Sequence, residues 1–333
     1  MKSFQLIDAR SPQEAASLLN KYKGKAQPLA GGGDLLYLMK DRIEGRQIQM
    51  PDVLVNLESI PKLDSISYEK GKGLKLGAMA LVSDVEANKT IREKFPILAQ
   101  AAAEVASPQL RNMGTVGGNL CQKPRCWYYR NAHLPCLKKG GSTCYALEGD
   151  NRYYHAILEG GPCYIVHPSD LAPALIALNS QVALVGPKQS RTIPLESFFV
   201  NTKQNLYQEN VLKPDEIVQE VSVPEPKEGS RGFYLKSRIR KSWDFALASA
   251  AVQMETAGGV CRDCRIVLGG VAPLPYRAKD AETALKGKKI NEQVALKVAE
   301  EALKAAQPMS MNAYKVDLAK TLLKRAVLQA GKV

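Results

Sequence analysis

The cysteines of this chain are clustered. Five of the seven fall within 43 residues, at positions 121, 126, 136, 144 and 163. In a reducing compartment such a group of thiols is more often a metal site or a catalytic site than a set of disulfides. The first residues carry no apolar segment of signal-peptide length, so we expect a cytoplasmic protein, although a partner that bears a signal could export it already folded. Metal binding is therefore the first interpretation.

The spacing of these cysteines distinguishes the kinds of metal site. A structural zinc ion usually takes two close pairs, C-x2–4-C, and only Cys121 and Cys126 come near that spacing. Widely spaced thiolates on one long loop suit a [4Fe–4S] cubane, whose corners lie further apart than the ligand positions of a single ion. A cubane is the leading interpretation, while a zinc site and a surface insertion with ordinary buried thiols stay open.

Basic and aromatic residues lie among these cysteines. Four basic residues could offset the charge of four thiolates: Arg125, Arg130, Lys138 and Lys139. Three adjacent aromatic residues could shield a cluster from water: Trp127, Tyr128 and Tyr129.

Two glycine-rich loops could hold a phosphate, because glycine lets the backbone approach a ligand closely. The first, PLAGGGDLL, covers residues 28–36, and the second, GTVGGNL, covers residues 114–120. The first loop matches only half of the Rossmann fingerprint, since Leu36 stands where the third glycine is expected. Either loop alone is typical of a plain tight turn, whereas the two together predict walls around one extended ligand that contains a pyrophosphate.

The remaining reactive residues do not form a catalytic group. Cys261 and Cys264 have the spacing of a redox motif but lie in a predicted hairpin that runs into a strand, so we expect a structural role. His133, His155 and His167 are interpreted as hydrogen-bonding residues rather than metal ligands. The sequence contains no recognisable nucleophile, triad or general base, and we therefore predict no catalytic residue.

Length and charge limit the function further. A chain of 333 residues predicts two or three domains. No apolar run is long enough to span a membrane. The net charge is +13, but the basic residues are scattered and aromatic residues make up only 6%, so nucleic-acid binding is not expected. A basic surface that docks an acidic redox partner, or sites for anionic cofactors, fits this composition better.

Strands and helices that could position these loops are readable in the first half of the chain. Ser11 begins a capping box, which predicts a helix that ends near Gly24. The first glycine loop follows a predicted strand at 27–29 and precedes a predicted helix at 35–42. Further strands are predicted at 52–57 and 74–77, a helix capped by Ser83, and an alanine-rich helix at 96–106.

The second half predicts a helix after residues 167–170 and a strand at 181–186. The polar segment 203–230 resembles a domain boundary. Strands near 232–236 and 245–255, the segment with the second cysteine pair, and helices at 291–307 and 313–330 follow. Because the strands and helices do not alternate strictly, the predicted fold class is α+β.

Several motifs occur here in an order that belongs to a known family. AGGGDLL, GTVGGNL, HPSDLAPALIAL, FYLKSRIR and LGGVAPLPYRA resemble, over essentially the whole chain, the FAD-binding subunits of the molybdenum hydroxylase (xanthine oxidase) family. An insertion of about forty residues, which includes RCWYYR, PCLKKGG and three further cysteines, lies between the second loop and SDL. This insertion is similar to the branch whose flavin subunit holds an additional [4Fe–4S] cluster, such as 4-hydroxybenzoyl-CoA reductase and the periplasmic aldehyde oxidoreductases.

The resemblance implies a domain organisation. Residues 1–226 would form an FAD-binding domain of the vanillyl-alcohol oxidase (PCMH) type, in two parts, 1–57 and 58–226, with the iron–sulfur insertion at 121–163. Residues 227–333 would form a smaller α+β C-terminal domain of the CO dehydrogenase flavoprotein type.

The resemblance also implies cofactor contacts, position by position. The FAD pyrophosphate would lie on the first loop, on Leu29, Ala30, Gly31, Gly32, Gly33, Asp34 and Leu35. The second loop and later segments would add Val105, Thr115, Gly118, Asn119, Asp170, Val218 and Lys236. The cluster ligands would be Cys126, Cys136, Cys144 and Cys163, with Cys121 as the substitute if Cys163 is not a ligand.

The function implied is electron transfer within a larger complex. A large subunit with a molybdenum cofactor would act on an aldehyde, a xanthine or an aromatic acyl-CoA, and a small [2Fe–2S] subunit would relay single electrons. FAD and the cluster of this chain would exchange those electrons with an external partner such as ferredoxin or NAD. Two alternatives are a stand-alone flavin reductase of the same fold class and a metal-stabilised binding protein without flavin.

Overall fold

The computed structural model describes residues 1–332. The chain begins with a small parallel sheet in the strand order β1-β3-β2, which carries the first glycine loop. Ser11 caps α1 as predicted, since its Oγ accepts a hydrogen bond from Glu14 N at 3.1 Å. The elements of this part are β1 (Gln5–Asp8), α1 (Pro12–Lys21), β2 (Ala26–Leu29), α2 (Leu35–Lys40) and β3 (Val53–Asn56).

A five-stranded antiparallel sheet follows, in the strand order β4-β5-β8-β6-β7. Its strands are β4 (Ile66–Glu69), β5 (Gly73–Gly77), β6 (Gln181–Val185), β7 (Ser190–Pro194) and β8 (Ile217–Val223). The helices between β5 and β6 are α3 (Val82–Ala87), α4 (Lys89–Lys94), α5 (Pro96–Ala103), α6 (Pro108–Arg111), α7 (Val116–Leu120) and α8 (Leu171–Ala177).

Two expectations about this part are wrong in detail. Ser83 does not cap α3, because the helix already begins at Val82 and Leu81 is its N-cap. Helix α5 ends at Ala103 rather than at residue 106, where the chain turns with a positive φ of 43°. The polar segment 203–230, interpreted as a domain boundary, also contains β8, an inner strand of the sheet with buried valines and half-exposed polar residues.

The last part is an antiparallel sheet in the strand order β12-β11-β10-β9, with the last three helices of the chain packed on one face and α5 and α8 on the other. Cys261 and Cys264 are buried in the core between this sheet and the helices, in agreement with their predicted structural role. The antiparallel sheets and segregated helices confirm the α+β class. The elements are β9 (Ser230–Ser237), β10 (Ala248–Ala257), β11 (Val260–Gly269), β12 (Tyr276–Arg277), α9 (Lys279–Leu285), α10 (Glu292–Leu303) and α11 (Tyr314–Ala330).

The cysteine-bearing insertion, residues 121–163, has almost no regular structure apart from one 3₁₀ turn at Leu137–Lys139. It forms a small core of its own, in which three cysteines and Tyr129 pack against Leu38 of α2 and Ile43 just after it. The insertion is thus built onto the element that follows the first glycine loop. Within residues 1–332, no helix has the length and apolar character needed to cross a bilayer.

Candidate functional site

The two glycine loops touch each other through their backbones. A Cβ atom added at Gly31 would lie 1.7 Å from the carbonyl oxygen of Met113, the residue just before the second loop. Gly32 has a φ of +69°, a conformation that residues with a side chain rarely adopt. Glycine is therefore required at both positions by the protein itself, and the two loops form one surface.

The next glycine faces open space instead. A Cβ atom added at Gly33 would have no heavy atom within 4 Å, and Gly33 is exposed while the neighbouring loop residues are half-buried. The backbone at Gly33 is thus accessible to a ligand on the side away from the protein. A flavin dinucleotide fits this surface, since its pyrophosphate needs close approach to a backbone without side chains.

Side-chain hydrogen bonds fix the conformation of the second loop. The Oγ1 of Thr115 accepts a hydrogen bond from Gly118 N at 3.1 Å, and this contact caps α7. Asn119 is buried, and its Oδ1 accepts a hydrogen bond from the hydroxyl of Ser169 at 2.5 Å. Ser169 thus joins the second loop to the start of α8. Sequence reasoning missed this contact, although Ser169 lies in the quoted motif HPSDLAPALIAL.

Asp170 and Lys236 form a buried ion pair. Lys236 Nζ lies 2.7 Å from Asp170 Oδ2 and also donates to the carbonyl of Glu104 at 2.8 Å, which brings Val105 next to the pair. Tyr234 donates its hydroxyl proton to the other oxygen of Asp170 at 2.8 Å, and burial, together with the Asp170 carboxylate, raises the pKa of Tyr234. Three predicted cofactor residues therefore lie together, and Tyr234 joins them.

Val218 lies apart from the pair of Asp170 and Lys236. It is buried in the main core on β8 and is paired with Leu184. The adjacent Gln219 accepts a backbone hydrogen bond from Ala78, and Ala78 lies directly against Gly117. Val218 therefore lies behind the second loop.

The structure brings the four predicted cluster ligands to one cavity. Cys126, Cys136, Cys144 and Cys163 all line it, and Tyr128 and Tyr129 contribute to its wall. Burial raises the pKa of the Cys126 thiol to about 12. The neighbouring Cys163 thiol lowers the pKa of Cys144 to about 6, while Cys144 and burial raise the pKa of Cys163.

Cys121 stands apart from this cavity and packs against the main core. Among residues 1–332, no group of three or more histidine, cysteine or acidic side chains converges closely enough to hold a single metal ion. The four cysteines around one cavity are a donor set of the kind that holds an iron–sulfur cluster.

Two of the four basic residues that were expected to offset the charge of the thiolates lie elsewhere. Arg125 and Arg130 both form ion pairs with Asp34, at 2.9 and 2.6 Å, and so face the first glycine loop rather than the cysteines. Lys139 is the buried cation near Cys136 and Cys126; burial lowers its pKa, and the two thiols oppose that shift.

Lys138 makes a buried ion pair that the sequence analysis did not foresee. Its Nζ lies 2.8 Å from Glu209, which also pairs with Lys123. Although burial acts to raise the pKa of Glu209, the two ammonium groups lower it to about 2. Glu209 thus fastens the insertion to the loop before β8.

Two of the three histidines are buried. His155 is fully buried, and its Nε2 lies 3.2 Å from the sulfur of Cys126. Burial, with a contribution from the nearby Lys315, lowers the pKa of His155 to about 4. His167 Nδ1 accepts a hydrogen bond from Ser169 N at 3.3 Å, and His133 is exposed.

Comparison with known proteins gives the family. The family described as the FAD binding domain in molybdopterin dehydrogenase matches residues 2–226, and the CO dehydrogenase flavoprotein C-terminal domain matches residues 233–330. The FAD-binding subunit PaoB of the aldehyde oxidoreductase of Escherichia coli K12 is 34% identical over 332 residues, which cover 99% of each chain. The carbon monoxide dehydrogenase medium chain of Hydrogenophaga pseudoflava is 30% identical, with 97% of this chain and 96% of that protein covered.

Solved structures agree with these relatives. A structure of carbon monoxide dehydrogenase from Hydrogenophaga pseudoflava that lacks the Mo-pyranopterin moiety superposes with a TM-score of 0.78 at 28% identity, covering 99% of this chain and 97% of that one. Quinoline 2-oxidoreductase from Pseudomonas putida 86 gives a TM-score of 0.76 at 25% identity, with 99% and 98% covered. The resemblance stated from the motifs is thereby confirmed at the level of the family: the chain belongs to the FAD-binding medium subunits of the molybdenum hydroxylases and is an oxidoreductase subunit.

Proposed function

We propose that this chain carries both FAD and a [4Fe–4S] cluster and transfers electrons within a multi-subunit molybdenum hydroxylase. It would pass them between a [2Fe–2S] partner subunit and an external acceptor or donor. FAD exchanges electrons singly or in pairs, and a cubane exchanges them singly. The cluster would therefore give the flavin a second route for the transfer of single electrons. The protein supplies their position, their exclusion from water and the charges around them.

One observation carries the proposal of a cluster: four cysteines that are spread over 38 residues of sequence line one cavity (Cys126 to Cys163). In an insertion with ordinary buried thiols, four sulfurs would not be expected to line the same cavity. The wall of Tyr128, Tyr129 and Ile165 would keep water from the cluster. Lys139, buried beside two of the thiols, would offset part of their negative charge.

The fourth ligand is assigned to Cys163 for the same reason. Cys163 lines the cavity together with Cys126, Cys136 and Cys144, whereas Cys121 packs against the main core elsewhere. Cys121 directly follows the second glycine loop, and we propose that it supports that loop rather than the cluster.

The cofactor-binding residues predicted from the family motifs become our proposed flavin site. The contact between Gly31 and Met113, which joins the two loops, and the open backbone at Gly33 support this assignment. The buried pair of Asp170 and Lys236, next to Val105, is proposed to lie at the flavin ring end of the same site. Val218 is proposed to support the ring from behind the second loop.

The domain division is likewise a proposal. The spans of the two matching families, which meet between residues 226 and 233, support a boundary near residue 226. The insertion at 121–163 would be the additional part of the first domain, built on α2. The cytoplasmic location expected from the sequence stays a prediction.

The proposed partners follow from the names of the relatives. The Hydrogenophaga protein is a medium chain, and we propose that this chain likewise assembles with a large subunit that holds molybdenum cofactor and a small [2Fe–2S] subunit. Ferredoxin or NAD is proposed as the external partner, and the net charge of +13 would favour docking of an acidic protein. The basic surface is not proposed to bind nucleic acid.

Electron flow through this chain can be tested on the complex itself. The complex is reduced anaerobically through its large subunit, and flavin absorbance and the electron paramagnetic resonance signal of the cubane are followed in the wild type and in Cys136→Ser. We expect the variant to keep flavin reduction but to lose most of the transfer to a one-electron acceptor. Unchanged transfer in a variant that lacks the cubane would contradict the proposed route.

A further inference from the structure

His155 is held against one of the proposed cluster ligands from two sides. Its Nε2 lies 3.2 Å from the sulfur of Cys126, and its carbonyl accepts hydrogen bonds from Lys315 Nζ at 2.9 Å and Asn312 Nδ2 at 3.3 Å. The residue is fully buried and forms a backbone bridge with Ile165. The imidazole is thus fixed in place by the C-terminal helix α11 and by the cavity wall.

The surroundings of the ring favour one position for its proton. Nδ1 is buried and, within residues 1–332, makes no hydrogen bond of normal geometry, although the backbone of Asn151 lies near the ring. Nε2 faces the sulfur, which becomes a strong acceptor when Cys126 is a thiolate. A proton on Nε2 therefore has a well-placed partner in the Cys126 sulfur, whereas a proton on Nδ1 has no well-placed one.

We propose that the Nε2–H group of His155 donates a hydrogen bond to the Cys126 sulfur and raises the reduction potential of the cluster, an inference that rests on the proposed cluster function. Hydrogen bonds to the ligand sulfurs are one of the factors that set the potential of iron–sulfur clusters. The donor stabilises the additional negative charge of the reduced cluster more than it stabilises the oxidised cluster.

This role singles out one of the four ligands. Among the described residues, Cys126 is the proposed ligand with a side-chain nitrogen at hydrogen-bond distance from its sulfur. The interaction is therefore local, and its removal should change the cluster and leave the flavin as it was. His155 acts through Cys126 and is a positioning residue, not a ligand.

The test uses the purified complex and two variants. His155→Leu removes the donor at similar volume, and His155→Gln restores a side-chain N–H. His133→Gln, on the exposed histidine of the same insertion, is the matched control. The cubane and flavin midpoint potentials are measured in one redox titration, together with the iron and flavin content.

We expect His155→Leu to shift the cubane potential downward. A tenfold change in the ratio of oxidised to reduced cluster corresponds to about 59 mV for a one-electron couple. His155→Gln should recover part of this shift, His133→Gln should match the wild type, and the flavin potential should stay constant in all of them. A fully loaded His155→Leu complex with an unchanged cubane potential would overturn the inference and leave the proposed function intact.

A second measurement needs no variant, in case His155→Leu fails to assemble its cluster. The chain has three histidines, and among the described residues His155 is the one whose ring contacts a proposed cluster ligand. Labelling histidine with ¹⁵N and recording electron–nuclear double resonance of the reduced cubane should reveal one weakly coupled nitrogen and one exchangeable proton. Their absence in a loaded wild-type cluster contradicts the hydrogen bond, whereas a wild-type chain without iron contradicts the proposed function itself.

Discussion

Asp34 in the first glycine loop and Arg130 in the cysteine-bearing insertion form an ion pair at 2.6 Å between Oδ1 and Nη2. Arg125 reaches the same oxygen at 2.9 Å, and the backbone N–H of Lys123 donates to the other oxygen at 2.7 Å. One carboxylate thus holds three groups of the insertion. The proposed flavin loop and the proposed cluster arm are thereby parts of one structure.

The first prediction concerns this carboxylate. Asp34→Asn leaves the two largely buried guanidinium groups without a counter-charge, which we expect to destabilise the chain by about 2–3 kcal/mol, less than for a fully buried pair. Flavin content and iron content should therefore fall together. Both are measured after purification, with Asp41→Asn, an exposed change just after α2, as the control. Full content of both cofactors in Asp34→Asn would show that the ion pairs do not link the two sites.

The second prediction distinguishes a glycine that the fold requires from a glycine that flavin binding requires. Gly33→Val places its side chain in open space, so we expect the fold and the iron content to be kept and FAD binding to be lost. Gly31→Val instead clashes with the carbonyl of Met113 and should unfold the loop with or without FAD. Flavin fluorescence titration and thermal unfolding of both variants measure the difference. Tight FAD binding by Gly33→Val would place the pyrophosphate elsewhere.

The third prediction decides the fourth ligand. Cys163→Ser should lower the iron content strongly and remove the cubane signal, while FAD stays bound. Cys121→Ser, a matched change outside the cavity, should keep both. Iron, sulfide and flavin analysis of anaerobically purified protein checks this. The opposite pattern, with iron lost in Cys121→Ser alone, would exchange the two assignments.

Motifs made the flavin loops and the cysteine set predictable, because those residues are constrained within short segments. Glycines needed for close backbone approach and thiols spaced along one insertion are visible in the sequence itself. The family motifs also contained Asp170 and Lys236, which the structure pairs directly.

Contacts between distant segments were not predictable in the same way. Glu209 meets Lys123 and Lys138 across more than seventy residues of sequence, and no local pattern marks it. Its segment is polar and was interpreted as a boundary, although β8 follows within it as an inner strand. The contact of His155 with Cys126 was missed for the same reason, since the two residues meet only through the fold of the insertion.

The fourth prediction is the pH dependence caused by Glu209. Because its pKa in the folded chain is about 2, below the ordinary value of 4.5, its ion pairs stabilise the fold fully above pH 4.5 and lose that effect as the pH falls toward 2. Glu209→Gln should lower the unfolding free energy at pH 7 by about 3 kcal/mol and weaken the acid dependence. Urea unfolding at several pH values, with exposed Glu228→Gln as the control, measures it. Equal acid dependence in wild type and Glu209→Gln would contradict the assignment.

The cofactor content of the anaerobically purified wild-type complex tests the central claim most directly. Flavin, iron, sulfide and molybdenum are measured per copy of this chain, and the iron of the [2Fe–2S] subunit is subtracted. The proposal predicts about one FAD and about four irons with matching sulfide for each copy. A complex that contains FAD but has no iron beyond that of its [2Fe–2S] subunit would contradict the cluster, and one without flavin would contradict the proposed flavin site.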